Sequence, residues 1–149
     1  MKMVADKSIN LDNIFSLFSP EGEIGKDNDK VFIDLTQNPI YLIGMYKKMV
    51  INYVVSSSKI VESLRILNPQ LDPQDIADAG DYMFFNKAYL YIENVRLDNP
   101  EHVIALEKSS DEDLIFTLEY GIQYFVKEEL YENCHHLKEI LEKIKEFSK

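Results

Sequence analysis

Side chains that are mostly apolar recur at alternating spacings of three and four residues over the longest patterned stretch of the chain. They are Ile43, Tyr46, Val50, Tyr53, Ser57, Ile60, Leu64 and Leu67. This spacing is the seam of a heptad repeat on one face of a helix. Asn38–Pro39 is typical of a helix start and Asn68–Pro69 of a helix end, so the pattern predicts a helix over residues 39–67. A strand over residues 49–55 is the competing interpretation, since two valines precede three serines. We favour the helix because the spacing continues past the serines.

Three further helices are predicted, near residues 73–97, 111–126 and 129–147. Asp72 followed by Pro73 marks the first of these starts, because aspartate caps and proline suits the first helical position. Ser110 and Asp113 form a capping-box pattern at the second start. Residues 101–108 are predicted to be a short connecting piece between these two helices.

The N-terminal quarter follows a different pattern. Residues 1–38 are interpreted as an arm and a loop, in which Val31, Ile33 and Leu35 alternate as in a strand. An extended segment of this kind either lies on the helices or pairs with another chain. The sequence as a whole predicts one all-α domain over residues 1–149, a four-helix bundle-like body (39–147) with an N-terminal extended arm.

Composition limits the classes of function. The chain has 149 residues, 46% of them hydrophobic, and a formal net charge of −10. Residues 67–116 hold eleven acidic and three basic side chains, a net charge of −8. Such a field repels phosphate backbones, so we expect no direct binding to nucleic acid. We expect no membrane association and a cytoplasmic location, because the first ten residues lack the apolar core of a signal peptide and lysines interrupt the best apolar run.

Few residues suggest chemistry. Glu132 and His135 have the E-x-x-H spacing that di-metal bundles use twice, but the chain contains it once. A complete site would need His102 from a loop and further carboxylates. The candidates for these carboxylates are Asp75, Asp78 and Glu93. A small metal-dependent enzyme is therefore one alternative, and Cys134 is expected to be a core residue. No phosphate-binding loop, dinucleotide fingerprint or nucleophile elbow occurs, so we predict a non-enzymatic protein without a cofactor.

The C-terminal part, near residues 114–144, resembles a helical hairpin of the tetratricopeptide or UVR type. Phe125 stands before the turn, Tyr131 after it, and Cys134 takes the small-residue position. The sequence departs from the tetratricopeptide pattern at Gly121 and Lys138, where larger apolar residues are usual. The resemblance implies a protein-binding module and no catalytic residue.

Aromatic side chains are unusually dense in the second predicted helix. Because successive helical residues turn by about 100°, they cannot all face inward with Phe84 and Ala88. The candidate interface consists of Tyr82, Phe85, Tyr89, Tyr91, Val31, Ile33 and Leu35. An arm folded back within the same chain would cover the same residues. The predicted function is protein–protein interaction or assembly, through self-association or a protein partner. The alternative from composition is an acidic regulator or inhibitor that occupies a basic nucleic-acid-binding surface.

Overall fold

The structure, a computed structural model, describes residues 35–148, and this part of the chain is helical throughout, without a strand. A 3-10 turn, Leu35–Gln37, precedes five helices. They are α1 (Pro39–Leu67), α2 (Pro73–Ile92), α3 (Pro100–Ser109), α4 (Glu112–Lys127) and α5 (Tyr131–Phe147). The all-α class is confirmed. The predicted arm and its residues Val31 and Ile33 lie outside the described residues, and Leu35 begins the 3-10 turn.

Three helices begin with the same pair of residues, an asparagine or aspartate followed by proline. Asn38 accepts a hydrogen bond from the backbone N–H of Ile40 at 2.9 Å, and Asp72 does the same for Gln74 at 2.9 Å. Asn99 accepts from Glu101 at 2.9 Å. The side-chain oxygen satisfies a backbone donor that the helix leaves open, while proline has no such donor at the first position.

Helix α1 runs without a break through the valines and serines that made a strand the competing interpretation. Ser56 donates from Oγ to the carbonyl oxygen of Asn52 at 2.6 Å, and Ser57 donates to that of Val54 at 3.4 Å. These hydroxyls bond back to the preceding turn instead of competing with the helix. The predicted bounds 39–67 are confirmed.

The connection between α2 and α4 differs from the prediction in two respects. Helix α2 ends at Ile92 rather than near residue 97, because Val95 turns into the core and the N–H of Arg96 donates to Nδ1 of His102 at 2.9 Å. The predicted connecting piece is itself the helix α3, which buries Ala105 and Leu106. The described residues therefore form five helices instead of four.

The ends of α4 also depend on details that the sequence pattern missed. Asp111, not Ser110, caps its start and accepts from the N–H of Leu114 at 2.7 Å. At its other end Glu129 has a φ of 60°, and the N–H of Leu130 donates to the carbonyl oxygen of Phe125 at 2.9 Å. The chain thus reverses into α5 through one left-handed residue that is not glycine.

The core lies where the first half of α1 packs against α2, α3 and α4, and where α4 packs against α5. Its largest fully buried side chains are Tyr46, Phe125, Ile43, Ile92, Leu106, Leu114, Leu118, Leu137, Ile140, Ile144, Val50 and Val95. Val50, a residue of the predicted seam, and Leu137 of α5 are 2% and 0% exposed. The expectation that Cys134 lies inward is confirmed as well, since it is 4% exposed.

Helices α1 and α4 approach closely where a tyrosine meets a glycine. The hydroxyl of Tyr46 donates to the carbonyl oxygen of Thr117 at 2.7 Å, inside the core. A Cβ atom at Gly121 would overlap this hydroxyl and would lie 3.0 Å from Cδ1 of Leu137. Gly121 is one of the two departures from the tetratricopeptide pattern. The space that a larger side chain would take there is filled by Tyr46 of α1.

An ion pair links α1 to the start of α4 and gives a first testable prediction. Lys47 Nζ lies 2.8 Å from Oδ2 of Asp111. Burial opposes ionisation of this carboxyl, but hydrogen bonds from Lys47 and from the N–H of Leu114 outweigh it and lower its pKa below 3.8. Asp111→Asn keeps the cap and loses the charge, so we expect the free energy of unfolding to fall by about 0.5–1 kcal/mol at pH 7.

The pH dependence of this difference has a defined sign. Because the pKa of Asp111 is lower in the folded state, its stabilisation is complete above 3.8 and is lost as the pH falls through the folded pKa. Urea unfolding of the wild type and Asp111→Asn should therefore converge in strong acid. Asp113→Asn, which removes a charge from the same helical turn, is the control. An equal loss in both variants at pH 7 would show that the pair with Lys47 contributes nothing specific.

Candidate functional site

The apolar seam of α1 is buried in its first half and uncovered in its second half. Tyr53 is the last buried residue of α1 and Phe85 is the first buried residue of α2. None of the residues between them is buried. We call this segment, residues 54–84, the outer hairpin. The seam nevertheless continues along it with Ile60, Leu64 and Leu67, which are 41%, 37% and 80% exposed.

The outer hairpin has an α1 arm, residues 54–67, and an α2 arm, residues 73–84. A groove of about 540 Å³ lies between these two arms. The residues that line it are Tyr53, Ser57, Ser58, Val61, Glu62, Arg65, Pro73, Gln74, Ala77 and Asp81. The serines of α1 and Ala77 of α2 are small, so they leave a depression between the helices. Polar and charged side chains stand along the same walls, and the groove therefore offers both apolar contact and hydrogen-bonding groups.

The inner end of the groove is formed by Tyr53 and the residues that hold its ring. Its hydroxyl donates to Oδ1 of Asp81 at 2.5 Å, and its ring stacks on Phe84 with centroids 4.6 Å apart. A methyl group at Gly80 would lie 2.8 Å from the Tyr53 oxygen, so glycine permits the close approach. Burial, followed by the hydrogen bond to Asp81, raises the pKa of Tyr53. The hydroxyl therefore remains a donor to Asp81 at neutral pH.

Beyond the groove, α4 covers the inner half of the α1–α2 hairpin. The ring of Phe85 stacks on Tyr124 with centroids 4.7 Å apart, and Asn86 donates to the Tyr124 hydroxyl at 3.2 Å. Helix α4 ends at Lys127, whose Nζ lies 3.6 Å from Oδ1 of Asp78 in the outer hairpin. Lys127, the last residue of α4, thus contacts the outer hairpin through Asp78, and α4 ends there.

The structure separates the residues of the predicted aromatic interface. Tyr82 is 65% exposed, whereas Phe85 is 2% exposed and belongs to the core. The expected orientation of the two phenylalanines is reversed, since Phe84 is 38% exposed. The reason is that Phe85 faces the rings of α4, while Phe84 lies over Tyr53 at the edge of α1.

The remaining members of that set are half-buried or exposed at other places. Tyr89 packs edge-on against Phe125 with centroids 5.3 Å apart, and burial raises the pKa of its hydroxyl to about 12. Tyr91 packs edge-on against Tyr41, and Leu35 is 49% exposed at the start of the described chain. Of the described candidate residues, only Tyr82 belongs to the outer hairpin.

Three of the residues considered for a metal site, His102, His135 and Asp78, have other contacts. His102 accepts the N–H of Arg96, and Nε2 of His135 lies 2.5 Å from Oε1 of Glu139 one turn along α5. Asp78 pairs with Lys127 and accepts from the side chain of Gln74. Within residues 35–148 no three histidine, cysteine or carboxylate side chains converge as a metal site would require.

Comparison with protein-family models, with curated proteins and with solved structures finds no match for this chain. Among the described helices, none combines the length and the apolar character needed to cross a membrane. The sequence could have pointed to the outer hairpin, because the heptad seam continues past Tyr53. It contains no signal for where the covering helix stops.

Proposed function

We propose that this chain is a non-enzymatic protein-interaction module and that the outer hairpin is its binding element. The observation that carries the proposal is the contrast along one seam. The seam is fully covered up to Tyr53, and it continues over a segment in which no residue is buried. A heptad seam is stable when a neighbouring helix covers it, so the uncovered half is suited to receive one from outside.

Energetics support the same conclusion. Most of the stability of a helix in a protein comes from tertiary packing of its apolar face, and no residue of the outer hairpin is buried. A partner that removes apolar surface from water contributes about 25 cal/mol per Å². Ile66 and Leu67, which are 74% and 80% exposed, are prominent parts of this surface. Binding would therefore stabilise the hairpin and satisfy its apolar side chains together.

Of the predicted aromatic interface, only Tyr82 belongs to the proposed binding element. Tyr82 and Met83, both 65% exposed, extend the apolar surface on the α2 arm. The resemblance of the C-terminal hairpin also implies protein binding. Its apolar residues, however, are largely in the core, with Leu118, Phe125 and Leu137 fully buried. The outer hairpin is the better candidate because its apolar residues are accessible.

The alternative of an acidic regulator has weaker support. Asp72, Asp75, Asp78 and Asp81 follow each other at spacings of three along α2. Asp72 caps the helix, Asp78 pairs with Lys127 and Asp81 holds Tyr53. Three of the four aspartates thus have structural contacts within the chain, and the apolar seam next to them would have no role in binding a basic surface.

The test compares two double variants that make the same change of charge. Leu64→Glu with Leu67→Glu alters the seam, while Leu90→Glu with Ile104→Glu alters exposed aliphatic residues outside the outer hairpin. Proteins that co-purify with the tagged chain from its own cells are quantified by isotope-labelled mass spectrometry. We expect the seam variant to lose at least about tenfold of a bound protein, equivalent to about 1.4 kcal/mol, and the control to retain it. Equal recovery with both variants would contradict the proposal.

A further inference from the structure

Tyr53 and Asp81 join the two helices of the α1–α2 hairpin at the level where the buried core ends. We propose that the outer hairpin opens as a separate unit while the core stays folded, and that this pair is a clasp that keeps the hairpin closed. Such opening belongs to the free chain and requires no partner, so it goes beyond the proposed binding function. It determines how often the walls of the groove, where Val61 and Ala77 are half-buried, become accessible.

Burial changes abruptly between the two sides of the clasp. On the inner side, Tyr46, Val50 and Phe85 are each at most 2% exposed. On the outer side, none of residues 54–84 is buried, and the buried core contains none of them. Regions with few buried apolar contacts open locally at a lower free energy than the whole chain unfolds. The outer hairpin can therefore open while the buried core stays intact.

Both helices have residues of low helix propensity next to the clasp. In α1, two valines and three serines, residues 54–58, follow Tyr53 directly. In α2, Gly80 lies against the ring of Tyr53, where a methyl group would come 2.8 Å from the tyrosine oxygen. Serine and the β-branched residues are weaker helix formers than alanine, and glycine is weaker still. The weak points of the two helices thus lie at the same level, and we expect the hinge there.

The clasp combines a hydrogen bond with ring packing. The hydroxyl of Tyr53 donates to Oδ1 of Asp81 at 2.5 Å, and the ring stacks on Phe84 with centroids 4.6 Å apart. A hydrogen bond to a carboxylate is short and about twice as strong as one between neutral groups. A second link joins Asp78 to Lys127 at 3.6 Å, but both side chains are more than half exposed, so solvent screens it. We therefore expect Tyr53 and Asp81 to control the opening.

Hydrogen exchange of the full chain, followed by mass spectrometry of its peptides, tests whether the outer hairpin is a separate unit. In the wild type, residues 54–84 should be protected at least about a hundredfold less than α4 and α5, equivalent to about 2.8 kcal/mol. Leu137→Ala weakens the core, so it should speed exchange in α4 and α5 and leave residues 54–84 unchanged. If this variant does not fold, Ile144→Val makes a smaller change in the same core, since Ile144 is 1% exposed. A hairpin as protected as the core, or accelerated equally by the core variant, would show that the two open only together.

Tyr53→Phe tests the clasp, because it removes the hydroxyl and keeps the ring. We expect exchange of residues 54–84 to become about tenfold faster, equivalent to about 1.4 kcal/mol. Tyr82→Phe makes the same change at a side chain of the same hairpin that is 65% exposed, and it should leave exchange as in the wild type. Asp78→Asn breaks the exposed ion pair and should accelerate exchange by about threefold or less. An effect of Tyr53→Phe no larger than that of either control would overturn the assignment of the clasp.

Discussion

Gly121→Ala is expected to lower the free energy of unfolding by about 2–4 kcal/mol, although alanine is the better helix former by about 1 kcal/mol. The added methyl group would overlap the hydroxyl of Tyr46 and would lie 3.0 Å from Cδ1 of Leu137. Either the two helices separate or the tyrosine leaves its hydrogen bond to Thr117, which is 2.7 Å long and buried. In the second case, leaving the buried hydroxyl without a partner accounts for about 1–3 kcal/mol of this loss. Urea unfolding monitored by circular dichroism measures the difference.

A double-mutant cycle with Tyr46→Phe identifies the cause. Tyr46→Phe alone should cost about 1 kcal/mol, because the carbonyl of Thr117 keeps its helical partner while one hydrogen bond is lost. It also removes the oxygen atom that the methyl group at position 121 would overlap. The combined variant should therefore be more stable than the sum of the two single losses predicts, by about 1–2 kcal/mol. Strict additivity would show that the hydroxyl is not the obstacle.

Gly44→Ala is the matched control for the same chemical change. Gly44 lies within α1. Apart from its chain neighbours and the backbone of its own helix, no atom lies within 4 Å of the position that a Cβ atom would take there. The methyl group would meet open space, so only the gain in helix propensity remains. We expect Gly44→Ala to raise the free energy of unfolding by about 0.5–1 kcal/mol. A loss at both glycines would point to a general effect of the substitution instead of the contact with Tyr46.

The long helices could be predicted because strong local signals agree with tertiary packing. In α1, the cap at Asn38, the proline after it and the heptad seam all indicate the same element, and its predicted bounds are confirmed. The same agreement places Val50 and Leu137 in the core. When propensity, capping and periodicity point to one structure, few alternatives compete with it.

The region between α2 and α4 could not be predicted, because its structure depends on contacts that are distant along the chain or too short to show a period. Helix α3 has ten residues, so its apolar positions repeat too few times to establish a helical spacing. Its start at Asn99 and Pro100 has the same cap as α1 and α2, and this is its one clear local signal. The end of α2 depends on the ring of His102, which accepts the N–H of Arg96.

The candidate site was only partly predictable for a related reason. Periodicity identifies which face of α1 is apolar, but it does not say which part of that face another helix covers. The choice between Phe84 and Phe85 likewise depends on where α4 crosses α2, and the rings of Tyr120 and Tyr124 decide it. Such contacts join residues more than thirty positions apart, and a local pattern contains no information about them.

Leu137→Ala is the second substitution for which we expect a large loss, about 2–5 kcal/mol in the free energy of unfolding. Leu137 is fully buried and lies against the backbone of α4 near Gly121, so alanine would leave a cavity between α4 and α5. Surrounding side chains are expected to relax only partly into it, because the rigid rings of Tyr46 and Phe125 are also fully buried.

Leu90→Ala is the control for Leu137→Ala, since Leu90 is 58% exposed and should change the free energy of unfolding by no more than about 0.5 kcal/mol. The two variants differ in burial but not in chemistry, so their difference measures the packing of the core. A near-neutral result at Leu137 would mean that α5 does not pack on α4 through this face.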